Sequence, residues 1–168
     1  MSTDTTDLQM DFRNAMARFA SGVTIVTTRD GEGRAVGFTA SAFSSLSLDP
    51  PMLLVCLQKD ADCYGAFMEA EHFAVSILAR GQGDLARRFA TKAIDKWLDT
   101  QATPGDRTRI PLIDGAAAQT ECVMLDRVDG GDHTILIGEV ISAVSTTEDP
   151  LLHFNRHFGR FISEETSK

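Results

Sequence analysis

Positive charge is scarce in this chain. Sixteen lysines and arginines stand against 24 aspartates and glutamates, for a formal net charge of −8. That balance excludes a nucleic-acid backbone or an anionic membrane as the main partner, since both favour basic surfaces. Cysteine is sparse too. Cys56, Cys63 and Cys122 have no metal-ligand spacing and cannot all pair with one another. They read as reduced thiols of a cytoplasmic protein, and no metal site is expected. Cys56 and Cys122 lie in strand-like sequence and are expected in the core. Long apolar runs are missing, because residues 52–57 give way to Gln58-Lys59-Asp60, far short of a bilayer span. The first eleven residues are acidic and polar, unlike a signal peptide.

What remains is an ordinary globular balance over 168 residues, 43% apolar and 24% charged. That fits one domain with its own core. No internal repeat or interdomain linker is visible.

Thr6-Asp7-Leu8-Gln9 fits a capping box with Thr6 as N-cap. Leu8, Phe12, Ala15, Met16 and Phe19 then share a helical face, and Gly22 supplies a stop. Residues 23–28 are β-branched and read as a strand. Asp30-Gly31 marks a hairpin turn into residues 35–41. Residues 52–57 read as a strand buried on both faces. Helices are expected over 63–71 and 84–93, with a strand over 73–78 between them. Residues 96–114 hold Pro104, Gly105 and Pro111 without periodicity and read as a surface excursion. Residues 116–126 and 133–144 pair as a hairpin around Asp129-Gly130-Gly131. Many evenly spaced strands and few helices make the chain mainly β, an antiparallel barrel. Such a barrel has room inside for side chains but not for a whole flat cofactor, so a site would lie outside it, naturally in a dimer groove.

Gly81-Gln82-Gly83-Asp84-Leu85-Ala86 matches the dinucleotide-binding pattern G-x-G-x-x-A. The context fails, because that motif needs a parallel strand ending in an acidic residue about 20 residues further on. Here that stretch holds Trp97, Thr100, Pro104 and Gly105 without an apolar run.

Residues 37–57, GFTASAFSSLSLDPPMLLVCL, carry the sharpest signal. Thr39, Ala40, Ser41, Ser44, Ser45 and Ser47 are small or hydroxylated, and Pro50-Pro51 follows. Small side chains let a flat ligand approach the backbone, and hydroxyls can bond its rim. Composition alone favours an ordinary loop, and the order of the residues changes that judgement. A second motif is Gly131-Asp132-His133, followed by residues 134–140, TILIGEV. A histidine after such a turn is otherwise a surface residue, and the aspartate a turn former.

Both segments, in this order, resemble the short-chain flavin reductase family, over a core of about residues 12–161 within a single domain. The resemblance implies an antiparallel split β-barrel of the FMN-binding type. It implies an NAD(P)H-dependent reductase that passes hydride from NADH or NADPH to FMN or FAD, and supplies reduced flavin to a separate monooxygenase. A homodimer is expected. Flavin contacts are expected from Thr39, Ala40, Ser41, Ser44, Ser45 and Leu46, and from Cys56, Leu57 and Gln58. Arg88, Phe89 and Ala90 would hold the flavin phosphate. Asp132 and His133 would lie beside the nicotinamide, with His133 the catalytic candidate. The family often carries Asn where this chain has Gln58 and Ser76. In the tail, Arg156 or Arg160 could meet cofactor phosphates, with Arg160 carried forward, while Phe154, Phe158 and Phe161 could pack on the barrel. Two other readings stay open. One is a different split-barrel redox enzyme, either pyridoxamine-phosphate oxidase-like or a metal-complex reductase. The other is a flavin-binding module without turnover.

Overall fold

A computed structural model describes residues 3–164, with side chains from residue 6 onward. Helix α1 (Thr3–Met16) leads into a short strand β1 (Ser21–Gly22) and then β2 (Thr24–Arg29), β3 (Ala35–Ala40), β4 (Phe43–Leu48) and β5 (Pro51–Gln58). Helix α2 (Tyr64–Glu69), strand β6 (His72–Ile77) and helix α3 (Gly83–Ala90) follow. The chain continues through β7 (Ala102–Pro104), β8 (Pro111–Ile113), β9 (Ala118–Gly130) and β10 (His133–Ser145). It closes with β11 (Leu152–Phe154) and β12 (His157–Gly159).

The main sheet has seven strands in the order β3-β2-β6-β9-β10-β5-β4, each pair antiparallel. Its two edge strands, β3 and β4, are consecutive in sequence. Ser41-Ala42 carries the chain from one to the other, and the Cys56 amide donates to the Ala42 carbonyl at 2.9 Å. The curled sheet therefore has a seam, bridged at one end by these two small residues.

The barrel interior is filled by Val26, Phe38, Val55, Leu57, Phe67, Phe73, Val75 and Leu136, all buried. A second cluster of Ile25, Leu78, Ala86, Phe89 and Ile113 seats α3 on the outside of β2 and β3. Gly37 permits that seat. A Cβ there would stand 2.8 Å from the Val26 carbonyl and 3.2 Å from the Phe89 ring. Buried threonines satisfy their hydroxyls locally. Thr24 donates to the Ala40 carbonyl at 2.9 Å and Thr27 to the Pro111 carbonyl at 2.6 Å.

Several expectations are corrected. Helix α1 begins at Thr3, so Thr6 and Gln9 lie inside it and Thr6 is not an N-cap, which needs non-helical backbone. The helix stops at Met16 in a tight turn, and Gly22 instead pairs with Leu152 in a sheet. Its apolar face is exposed in the single chain, with Leu8 at 69%, Phe12 at 62% and Met16 at 54%, and Phe19, expected on that face, lies beyond the helix end and is 75% exposed. Strand β5 buries only Leu53, Val55 and Leu57, while Met52, Leu54 and Cys56 on its other face are half-buried. Cys122 is a core residue as expected, and Cys56 is not. The excursion at 96–114 contains the β7–β8 hairpin. Phe154 and Phe161 are exposed rather than packed on the barrel, whereas Phe158 packs against the α3 cluster. The glycine motif opens α3 without any parallel strand beyond it, as its failed context requires.

Candidate functional site

A cleft of about 270 Å³ lies over the seam. The end of β3 supplies Phe38, Thr39 and Ala40, and Ser41-Ala42 crosses its mouth. The end of β5 supplies Cys56, Leu57 and Gln58, and His133 stands beside them at the start of β10. Phe89 and Ala90, closing α3, form a further wall with Ala61 and Asp62. Lys92 and Lys96, from the irregular segment after α3, complete the lining.

Each element is placed by identifiable forces. Register sets His133 opposite Gln58 of β5 and Gly130 of β9. Thr134, its neighbour, shares a 2.9 Å hydrogen bond with the Tyr64 hydroxyl, tying β10 to α2. The preceding turn is clamped twice from β5's exit. The Lys59 amide donates to the Asp132 carbonyl at 2.9 Å, and the Lys59 ammonium pairs with Asp129. Asp132 Oδ1 lies 2.7 Å from His133 Nδ1. That contact holds the Asp132 carboxyl below its ordinary range. With Nδ1 on Asp132, Nε2 is the ring atom free to serve a ligand.

Thr39 donates its hydroxyl to the Ala86 carbonyl at 2.7 Å, so its donor locks β3 to α3. The segment after α3 is strapped across the cleft by three contacts. The Lys92 ammonium lies 2.7 Å from Asp60, the Ala93 amide donates to Asp62 at 2.7 Å, and the Lys96 ammonium lies 3.4 Å from the Gly37 carbonyl. Burial raises the pKa of the Cys56 thiol, which leaves it un-ionised at the cleft wall.

Of the residues expected from sequence, the cleft gathers Thr39, Ala40, Ser41, Cys56, Leu57, Gln58, Phe89, Ala90 and His133. It does not gather Ser44, Ser45 or Leu46, which lie exposed on the edge strand β4. Ser44 turns its hydroxyl back to the Ser45 carbonyl. Arg88 points elsewhere, donating to the Leu98 carbonyl and to Thr100. Asp132 reaches the cleft only through His133. Arg160 lies exposed beyond β12, outside the cleft lining. The two cations that do face the cleft, Lys92 and Lys96, were not among those expected. Their only sequence signal is position, a few residues beyond the helix that resembles a phosphate-holding segment.

A family model for the flavin reductase-like domain matches residues 16–161. The chain belongs to the flavin reductase-like family. A reductase component of a 4-nitrophenol 4-monooxygenase/4-nitrocatechol 2-monooxygenase from Rhodococcus opacus is 40% identical, across 90% of this chain and 80% of the relative. An FMN reductase (NADH) from Agrobacterium fabrum is 41% identical, across 89% and 84%. A solved NADH:FAD oxidoreductase from Streptomyces globisporus C-1027, in complex with NAD and FAD fragments, superposes with a TM-score of 0.88 at 36% identity. It covers 94% of each chain. The fold is thus the split β-barrel of these flavin reductases.

The cleft suits a flavin on its own chemistry. Ala40, Ser41, Ala42, Ala61 and Ala90 leave room for a flat ring close to the backbone. Phe38 and Leu57 give an apolar floor, and two ammonium groups suit a phosphate. The volume falls a little below the roughly 300–1,000 Å³ of small-molecule pockets, so a flavin would extend beyond this single cleft. Among the described residues, no group of His, Cys, Asp and Glu could hold a metal ion, and no helix is long and apolar enough to cross a membrane.

Proposed function

We propose that this chain takes hydride from NADH onto FMN or FAD in the seam cleft and delivers reduced flavin to a separate monooxygenase. The flavin supplies the two-electron chemistry, accepting hydride as NADH becomes NAD⁺. The protein supplies position and electrostatics. Ser41-Ala42 and the β5 exit hold the ring against the seam. Lys92 and Lys96 balance phosphate charge, in the role that sequence resemblance assigned to Arg88. His133, steadied by Asp132, presents Nε2 toward the nicotinamide side and can hold a proton there. Asp132 acts through the histidine rather than on the cofactor.

The observation that carries this reading is the convergence of the small-residue bridge, the β5 exit and His133 on one cleft, in a member of this family. We infer a homodimer, supported by the exposed apolar face of α1 together with exposed Leu46 and Leu48 on the edge strand. A second chain would cover these and close the open side of the cleft. Purified protein should elute near twice the 18.3 kDa chain mass. Cytoplasmic residence fits the reduced thiols. NADH oxidation that requires both protein and added flavin, and drops in His133→Ala, tests the reading. Flavin binding without NADH oxidation would instead mark a storage or sensing module.

A further inference from the structure

The cleft does not close at Lys96. A second cavity of about 200 Å³ opens beyond it and shares Lys96 and Asp62 with the first. Val36 and Gly37 of β3 form its base, and Ile94 and Trp97 of the strapping segment form its cover. Trp97 is half-buried and set by a 5.2 Å edge-to-face contact with Phe89. Ile94 is 46% exposed although apolar. The segment is internally braced, since Asp95 accepts the Trp97 and Leu98 amides at 3.0 and 3.2 Å. The order along the surface is therefore a cleft for a flat ring, a cation, then an apolar slot with an aromatic ring.

We propose that this slot is a subsite for the adenosine diphosphate half of a dinucleotide. Lys96 meets the diphosphate, and adenine packs against Trp97 and Ile94. Aromatic faces accept any base in this way. Asp62 and Asp95 each retain acceptor sites beyond the amides they bind, because a carboxylate offers about four lone pairs. They suit ribose hydroxyls and repel a 2′-phosphate by like charge. The inference rests on the flavin reductase reading and deepens it. The ligand would be FAD rather than FMN, or the adenosine end of NADH.

Trp97 is the chain's single tryptophan, so its emission reports on the slot directly. Titration of the full chain with ADP should change that emission saturably, and 2′-phosphorylated ADP should bind more weakly. FAD should bind about tenfold more tightly than FMN if the adenosine comes from the flavin. Ile94→Ser, at a position outside the flavin cleft, should then shrink that ratio, and ADP should compete with FAD. If the adenosine belongs to NADH, ADP should instead raise the KM for NADH and leave the FAD-to-FMN ratio near one. Absence of an emission change, together with no competition by millimolar ADP against either dinucleotide, would overturn the subsite. A saturable ADP response in a protein that fails to oxidise NADH would overturn the reductase reading and leave the subsite standing.

Discussion

Replacing Glu121 by glutamine should destabilise the fold in a pH-dependent way. Glu121 is 2% exposed, in β9. Its carboxylate accepts the Thr108 hydroxyl at 2.6 Å, the Thr108 amide at 2.7 Å and the Arg107 amide at 3.2 Å. Gly105 makes room for it, since a Cβ there would collide with the Glu121 carboxylate. Burial raises its pKa, but hydrogen bonds from Thr108, Arg107 and Asp106 outweigh that and leave it below the ordinary 4.5. A hydrogen bond to a charged group is worth about 1.5–3 kcal/mol. Glutamine keeps one oxygen but sets an NH₂ against amide donors, so the expected cost is about 2–4 kcal/mol. At this chain length that lowers Tm by roughly 5–15 °C. The sign follows from linkage. A group whose native pKa is depressed stabilises above its unfolded pKa, and the stabilisation is lost as pH falls through the native value. Urea titrations of both proteins should therefore show a constant gap above about pH 5.5, narrowing below about pH 4.5. A gap under about 0.5 kcal/mol at pH 7, typical of a surface change, would refute the reasoning. So would a gap that persists undiminished to low pH.

Gly37→Val should push α3 off β3 and cost about 2–4 kcal/mol, measured by urea denaturation, because the obstructing Val26 carbonyl is backbone. Lys92→Ala combined with Lys96→Ala should weaken FMN binding by about ten- to a hundredfold in flavin fluorescence titrations, while Arg88→Ala weakens it far less. Native thiol labelling near pH 8 should modify Cys56 alone and slowly, and bound FMN should protect it. Burial pushes Cys63 to about 11 and Cys122 to about 12, so both label only after unfolding. Asp132→Asn should lower kcat/KM by altering the histidine's tautomer, without matching the loss in His133→Ala.

Much of the barrel was legible because its strands are β-branched and its hairpins carry Asp-Gly or Gly-Gly turns. Residues 23–28, 73–78 and 133–144 fall within a residue or two of observed strands for that reason. The β7–β8 hairpin was not legible, since three-residue strands around prolines show no alternation. The Thr6-to-Gln9 capping pattern set the start of α1 too late, because the helix already runs from Thr3 and that pattern sits inside it. The exposed apolar stripe of α1 shows the same limit, because periodicity reports a face but not what covers it. The segments that end strands at the seam do line the cleft, where resemblance and small-residue chemistry coincide. The cations lining the cleft are not the one expected from sequence. Phe89 and Ala86 bury one side of α3, which turns Arg88 toward the Leu98 carbonyl. The cleft instead receives lysines from an irregular segment, whose side-chain directions no periodicity encodes. Ser44 and Ser45 stand outside the cleft lining, because composition cannot reveal that β4 is an outward-facing edge.

The most direct test is anaerobic mixing of the protein and FMN with NADH, following nicotinamide and flavin absorbance together. One flavin should bleach per NADH oxidised, at a rate set by protein concentration and sharply reduced in His133→Ala. Tight flavin binding with no loss of NADH absorbance would contradict hydride transfer in this cleft.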